Sequence, residues 1–385
     1  MNDGSLECVT EIFFGESQFS RLSDLIRRHG DRALIVTGSN SYVSSGAKAL
    51  IEPLLANAGV TTIHLRGVRP DPTSDLVYEG ATLCKSHGIN VILAVGGGSV
   101  IDTAKAIGIA AMDDGDFFDF FLRSRSPQCS IPVGCVLTVA GAGSESSDGC
   151  VIQKGLQKYS TGAPFMRPKF AFINVELMMS VEESQIRYGI ADSLSHVLER
   201  YFTATEHVAT TSYISCALAK TIMTLGLDVI NNPLDKSIRA DLVWAQKLAH
   251  DETGGFGRKG DWATHTLAHE VAVLTHAPHG EILSILFPSW LKFIKPIKPR
   301  LFDFLDRELK GLGTDRGECN SLQKVIEFYS AICPRRRSLS HLGVTESHIP
   351  MIVKRAAMTT KSGTIGNLIR LGQGEMKGVL IDALH

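Results

Sequence analysis

Val91-Ile-Leu-Ala-Val-Gly-Gly-Gly-Ser-Val-Ile-Asp-Thr-Ala-Lys-Ala-Ile107 decides the fold. Five apolar residues in a row read as a strand buried on both faces, the glycines as a tight turn, and residues 100–107 as a helix. Consecutive glycines let backbone N–H groups come close to a pyrophosphate, and a helix N-terminus adds about half a positive charge at the same spot. A glycine triplet alone fits a plain strand-to-helix turn equally well. The motif is neither G-x-G-x-x-G nor G-x-x-x-x-G-K-[ST], which argues against an ordinary Rossmann dehydrogenase and against a P-loop NTPase.

Outward from this stretch, residues 33–37 and 61–65 read as strands and 48–58 and 74–87 as helices. Residues 131–138, 149–153 and 170–175 read as further strands closing the same domain. Strands alternating with helices predict an α/β domain with a mainly parallel, Rossmann-like sheet of the dinucleotide-binding kind. From Val181 onward the apolar spacing is helical, through 186–202, 212–225, 238–250 and 262–274. The expectation is an α/β dinucleotide-binding domain over residues 1–180, followed by an all-α, metal-binding and catalytic domain over 181–385.

The 385 residues exceed the usual size of one core, and 44% apolar with 21% charged residues is an ordinary globular balance. A formal net charge of -1 gives no pull toward nucleic acid or an anionic membrane. The basic runs at 295–300 and 334–337 read as solvated surface. No apolar run is expected to span a membrane, and residues 1–10 hold Asp3 and Glu7 where a secretory signal needs basic then apolar residues, so a cytoplasmic protein is expected. The eight cysteines, Cys8, Cys84, Cys129, Cys135, Cys150, Cys216, Cys319 and Cys333, are dispersed without a C-x-x-C pair. They read as reduced thiols, which leaves histidines and carboxylates to hold any metal.

A second small-residue turn, Thr138-Val-Ala-Gly-Ala-Gly-Ser-Glu145, reads either as a plain loop or as a second cofactor cradle using the Thr138 and Ser144 hydroxyls. Past the first predicted strand, Gly38-Ser39-Asn40 lacks the carboxylate that would bond an adenosine ribose 2′-hydroxyl, so NADP(H) is favoured over NAD(H).

Asp192 and His196 are four apart and share one helix face, with Ile190, Leu194, Val197 and Leu198 around it. Such a pair alone is more often a surface pair. Five of the 30 residues from His250 to His279 are histidine, however, in a chain holding 13, and this clustering suits a divalent metal. On one straight helix His265 and His279 would lie about 21 Å apart. Pro278 breaks the helix and lets His279 return. His265 and His269 share a face and compete as ligands. The order His-x-x-x-His-Glu is not H-E-x-x-H, which disfavours a zinc protease.

The loop 96–105, the turn 138–145, the Asp192/His196 pair and the His265, His269, His279 spacing together resemble the iron-containing (group III) alcohol dehydrogenase family. Val243-Trp-Ala-Gln-Lys and Asp261-Trp-Ala-Thr-His265 resemble its butanol dehydrogenase-like, NADPH-using aldehyde reductase branch. The resemblance implies Asp192, His196, His265 and His279 as metal ligands and His269 as a proton relay. It places Gly96, Gly97, Gly98 and Ser99 at the pyrophosphate and Asp102 near the nicotinamide end. Gly38, Ser39 and Asn40 fall at the ribose, and Thr138, Val139, Ser144, Lys158 and Val181 around the rest of the cofactor. Asn174-Val175 and Val181-Glu182 stand where many members have Asp-Pro and Leu-Pro.

One carboxylate and three imidazoles suit Fe2+ or Zn2+. The implied activity is metal-assisted hydride transfer between NADP(H) and an alcohol/aldehyde pair, in a homodimer that binds neither nucleic acid nor membrane. The alternative within the superfamily is a polyol dehydrogenase or dehydroquinate synthase-like lyase, disfavoured because Ala268, Val271, Val273 and Leu274 are apolar. A cofactor-binding protein with a dead site and a metal hydrolase are the rivals from other classes.

Overall fold

The computed structural model describes residues 1–3, 10–155, 157–310, 320–335 and 337–385. Glu7, Cys8, Cys319 and Arg336, which enter the sequence readings above, lie outside the described residues. The chain forms two compact units, Glu7–Glu182 on one hand and Met1–Leu6 with Glu183–His385 on the other. The start of the chain thus belongs with the helices: the Met1 amine donates to the Glu206 carbonyl at 2.7 Å, and the Asn2 amide to Gly257 at 2.8 Å.

The first unit runs β1 (Glu11–Phe14), α1 (Leu22–Arg27), β2 (Arg32–Gly38), α2 (Ser41–Ser44), α3 (Ala47–Asn57), β3 (Thr61–Val68), α4 (Ser74–His87) and β4 (Val91–Gly96). It continues with α5 (Gly98–Ala111), α6 (Phe118–Phe121), β5 (Val133–Leu137), β6 (Gly149–Lys154), β7 (Gln157–Gly162) and β8 (Phe170–Ile173). Six strands pair in the order β1-β8-β5-β4-β2-β3, every pairing parallel. β4, β5 and β8 are buried along their whole length, as a sheet covered on both faces requires. The fold is the Rossmann-like parallel sheet that the repeating strand–helix pattern predicts.

Two differences have physical reasons. Residues 149–153 do form a strand, but β6 pairs antiparallel with β7 in a separate two-stranded ribbon instead of extending the sheet. Short β-branched runs look alike in either setting, so periodicity could not separate them. The edge strand β1 has only four residues, with Glu11 and Phe14 exposed, and carried no strand signal. Chain order reverses at β2, with β3 on one side and β4 on the other, which opens a crevice at the carboxyl ends of β2 and β4.

The second unit is helical: α7 (Glu183–Tyr201), α8 (Ala209–Asn231), α9 (Lys236–His250), α10 (Ala263–Thr275), α11 (His279–Ile294), α12 (Pro299–Glu308), α13 (Ser321–Ile332), α14 (Ile349–Met358) and α15 (Gln373–Asp382). Its core joins Leu194, Leu198, Leu267, Val271, Leu286 and Trp290, all nearly inaccessible. Asp235 starts α9 by accepting from the amides of Ser237 and Ile238. α8, 23 residues long, contains an 18-residue window with a mean hydropathy of 1.4, enough to cross a membrane by length and composition alone, a test that core helices also pass. Its buried stripe, including Cys216, Ala219, Ile222, Met223 and Val229, makes it a core helix of this unit.

Candidate functional site

α7 presents Asp192 and His196 one turn apart while Ile190, Leu194, Val197 and Leu198 anchor it in the core. The approach of the other histidines is set by two corners. At the first, Trp262 takes a left-handed φ of 64°, and the Asp261 carboxylate accepts the amide of Ala263 at 3.1 Å and those of Asn367 and Leu368 at 2.9 and 2.7 Å. α10 starts there with His265 in its first turn. At the second, His276 takes φ 54°, ending α10, and Pro278 precedes α11, whose first residue is His279. The chain reverses within three residues, as Pro278 predicted. A Cβ on Gly280 would lie 2.0 Å from the Tyr188 carbonyl oxygen, so α11 meets the α7 backbone at a distance only glycine permits.

The three imidazoles converge. The Nε2 atoms of His196, His265 and His279 lie 3.7, 3.7 and 4.0 Å from Asp192 Oδ1. One donor atom each from Asp192, His265 and His279 lies within 4.8 Å of the others, and these three could hold a metal ion. Donors around one tetrahedral ion stand about 3.4 Å apart, so modest side-chain adjustment meets that geometry. Asp192 Oδ1 and His265 Nε2 are buried with no hydrogen-bond partner among the described residues. Buried polar atoms left so are costly, and a cation seated between them satisfies both.

A residue that the sequence did not single out stands behind the cluster. Glu199, fully buried on α7, accepts from His265 Nδ1 at 2.7 Å, and its other oxygen accepts the Thr264 amide at 2.9 Å and the Thr264 hydroxyl. Its spacing, seven residues after Asp192, was the available signal, since two helical turns return to one face. Burial raises the Asp192 carboxyl above its usual range, opposed by His265. Burial and then the neighbouring His250, His265, Arg200 and His279 push His196 well down. Burial also acts to lower His265, but Glu199 and Asp192 outweigh it and raise the group to about 9.

His269, one turn along α10, lies outside the group of three; its ring stacks at 5.0 Å on that of His279. His250 packs against His196 at 4.1 Å between centroids, and His276 is exposed at its corner. Ala268 and Val271 are fully buried in the helical core and Leu274 packs against it, so their apolar character reflects core packing and does not bear on substrate polarity.

At the sheet, the candidate cofactor loops follow adjacent strands. Thr37 pairs with Val95 and Gly96 with Leu137, so Gly38-Ser39-Asn40, Gly96 to Ser99 and the turn from Thr138 leave the same edge. α5 begins at Gly98, two residues earlier than predicted, which puts Gly98 and Ser99 in its first turn. The glycines also serve packing: a Cβ would fall 2.5 Å from Val100 at Gly96, 3.3 Å from Val139 at Gly97 and 2.6 Å from Ala142 at Gly98. The Thr37 and Thr138 hydroxyls are buried with no hydrogen-bond partner among the described residues. Ser39 and Asn40 are exposed.

Other predicted cofactor residues are engaged internally. Asp102 accepts from the Ser144 hydroxyl at 2.5 Å and the Val151 amide at 2.9 Å. The fully buried Lys105 ammonium donates to Ser144, Ser147 and Gly149 at 2.6 to 3.1 Å, which ties the 144–149 segment to α5. Lys158 on β7 pairs with Asp71 at 2.5 Å, and the Val181 amide donates to the Met178 carbonyl at 3.1 Å. Asn174 caps the following turn by accepting the Glu176 amide at 3.1 Å, which an aspartate there would also do.

Two family models match this chain: iron-containing alcohol dehydrogenase over residues 9–175, and Fe-containing alcohol dehydrogenase family, C-terminal, over residues 187–384. The chain is 31% identical to a probable NADH-dependent butanol dehydrogenase 1 of Bacillus subtilis, over 96% of its own length and 97% of that protein's. It is 28% identical to the NADPH-dependent aldehyde reductase YqhD of Escherichia coli, over 92% of its length and 93% of that protein's. Among solved structures it resembles the NADH-dependent butanol dehydrogenase A from Thermotoga maritima, with a TM-score of 0.91 and 26% identity, covering 100% of this chain and 99% of that one.

Proposed function

The chain belongs to the iron-containing alcohol dehydrogenase family, and from that premise we propose that it moves hydride between NADP(H) and an alcohol/aldehyde pair at a centre built by Asp192, His196, His265 and His279. The family implies a metal and a nicotinamide cofactor, and an oxidoreductase acting on alcohols and aldehydes. The observation that carries the proposed centre is the approach of three imidazole Nε2 atoms to Asp192 Oδ1, within 4.0 Å. A bound Fe2+ or Zn2+ supplies Lewis acidity toward the substrate oxygen there, and the nicotinamide supplies or accepts the hydride.

The chain's own groups do the rest. Asp192 brings one carboxylate to three imidazoles, a donor set suited to Fe2+ or Zn2+ over Mg2+ or Ca2+. His269, stacked on His279, passes a proton between the reacting oxygen and water. Gly97, Gly98 and Ser99 offer first-turn amides of α5 to the pyrophosphate, supported by the helix dipole. Thr138, whose buried hydroxyl has no hydrogen-bond partner among the described residues, follows β5 at the same edge of the sheet.

The preference for NADP(H) rests on Gly38-Ser39-Asn40, where no carboxylate repels a 2′-phosphate. The Bacillus relative is named NADH-dependent and the Escherichia relative NADPH-dependent, so relatives of both habits exist. The decisive experiment follows oxidation of NADPH and of NADH by absorbance, with butanal as the oxidant. Butanal-dependent oxidation, faster in kcat/KM with NADPH, is expected; a clear preference for NADH overturns the cofactor assignment, and no aldehyde-dependent oxidation overturns the function. A homodimer and a cytoplasmic location complete the proposal, the first of them tested by light scattering of the eluted protein.

A further inference from the structure

Glu199 and Arg200 are consecutive on α7 and reach two different imidazoles of the cluster. Glu199 accepts from His265 Nδ1 at 2.7 Å. A carboxylate facing an imidazole nitrogen puts a proton on that nitrogen, and the lone pair is then free to form on Nε2, the atom facing Asp192. Arg200 does the reverse. Its Nη1 lies 3.2 Å from His196 Nδ1. A guanidinium can only donate, so His196 Nδ1 accepts, and a neutral imidazole then carries its single proton on Nε2. That Nε2 lies 3.7 Å from Asp192 Oδ1. A protonated nitrogen cannot bind an ion.

Arg200 is held firmly in this position. Its side chain is 7% exposed, and it also donates to the carbonyls of Ala249 at 3.0 Å and His250 at 3.3 Å and to Glu252 at 3.1 Å. Its guanidinium lies 5.0 Å from the centre of the Trp262 ring. One donor atom each of Asp192, His265 and His279 lies within 4.8 Å of the others, so these three can take an ion before His196 joins.

We infer that Glu199 and Arg200 act as opposed positioning residues, Glu199 priming His265 as a ligand and Arg200 holding His196 in its non-ligating tautomer until an ion arrives. This rests on the proposal that the cluster holds an ion. Asp192, His265 and His279 take the ion first. His196 joins when its proton moves from Nε2 to Nδ1 through water and Arg200 Nη1 gives up that nitrogen, keeping the Ala249 carbonyl as its acceptor. The proton count of His196 is unchanged.

The test is two-bond ¹H–¹⁵N correlation NMR of the full chain labelled at histidine nitrogens, metal-free and then saturated with Zn2+. Metal-free, His196 is expected as the Nε2–H tautomer and His265 with a proton on Nδ1 facing Glu199. With Zn2+, His196 is expected to convert to Nδ1–H. His196 already in the Nδ1–H form without metal overturns the inference, as does an unaltered His196 while His265 and His279 respond. Zn2+ that disturbs none of the four residues overturns instead the proposed metal centre. Variants give a second readout by Zn2+ calorimetry. Glu199→Gln is expected to weaken binding about 10- to 100-fold, and Arg200→Met to tighten it about tenfold, the worth of one hydrogen bond lost from the metal-free state. Shifts of both variants in the same direction contradict opposed roles. Should Arg200→Met fail to fold, the tautomers of the unaltered chain still decide.

Discussion

His279 and His269 look alike in the sequence but stand in different positions, one facing Asp192 and the other stacked behind it. His279→Ala is therefore expected to lose both metal and turnover, whereas His269→Ala keeps its metal and loses rate by about 10²- to 10⁴-fold, the usual range for a proton-transfer group. Metal analysis beside kcat separates them, and full metal loss in His269→Ala would make it a ligand. Asp261 yields a pH prediction. Burial, with Glu199 adding to it, raises its carboxyl to about 6, against amides that act to lower it. Unfolded, the same group titrates near pH 4. Between about pH 4 and 6 the folded state therefore binds the additional proton, and stability falls as pH rises, by at most about 1.4 kcal/mol per unit, levelling off above 6. Asp261→Asn cannot titrate. The stability difference between wild type and this variant, from urea midpoints of metal-free protein, should shrink across that window, and a difference that widens contradicts the assignment. The histidines were legible because five crowd one short segment. Glu199 was not, because a buried carboxylate reads like any surface carboxylate until packing closes around it.

Among the elements, the strands and helices around Val91 to Ile107 followed from their periodicities, and the corner before α11 from Pro278 as a helix breaker. What escaped was the local antiparallel hairpin of β6 and β7, whose short runs look the same in a hairpin as in the main sheet, and the edge strand β1, whose partner β8 lies about 160 residues away. The turn into α5 shows how a motif can have two causes. Gly98 faces Ala142, where a Cβ would sit only 2.6 Å from its methyl. Gly98→Ala is expected to push the 138–144 turn outward, at a cost of about 1 to 3 kcal/mol for overpacking, and to raise the KM for cofactor more than it lowers kcat. An unchanged cofactor KM would remove this turn from the binding edge. Gly280 makes the corresponding contact between α11 and α7. Gly280→Ala should displace His279 and release metal, although its own side chain binds nothing; retained metal with normal affinity would show that α11 can shift without moving the cluster.

At the scale of the whole molecule, family membership and the α/β and helical halves were readable from one chain because glycine turn, Asp/His pair and histidine segment occur in order along nearly its full length. The first residues, which hydrogen-bond to the helical unit at Glu206 and Gly257, were not, since their contacts lie more than 200 residues away. An ion held by residues of α7, α10 and α11 joins three helices of that unit. Saturating metal at about a hundredfold over its Kd adds roughly 2.7 kcal/mol, or about 5–10 °C in the transition of a unit this size. Asp192→Asn should lose most of that shift, and an equal shift in the variant would put the ion elsewhere. The most direct measurement is anomalous diffraction at the metal edge from crystals of the reconstituted protein. A single peak about 2.0 to 2.2 Å from an Asp192 oxygen and from Nε2 of His196, His265 and His279 is predicted; a metal-saturated, active crystal with no peak between these four side chains contradicts it.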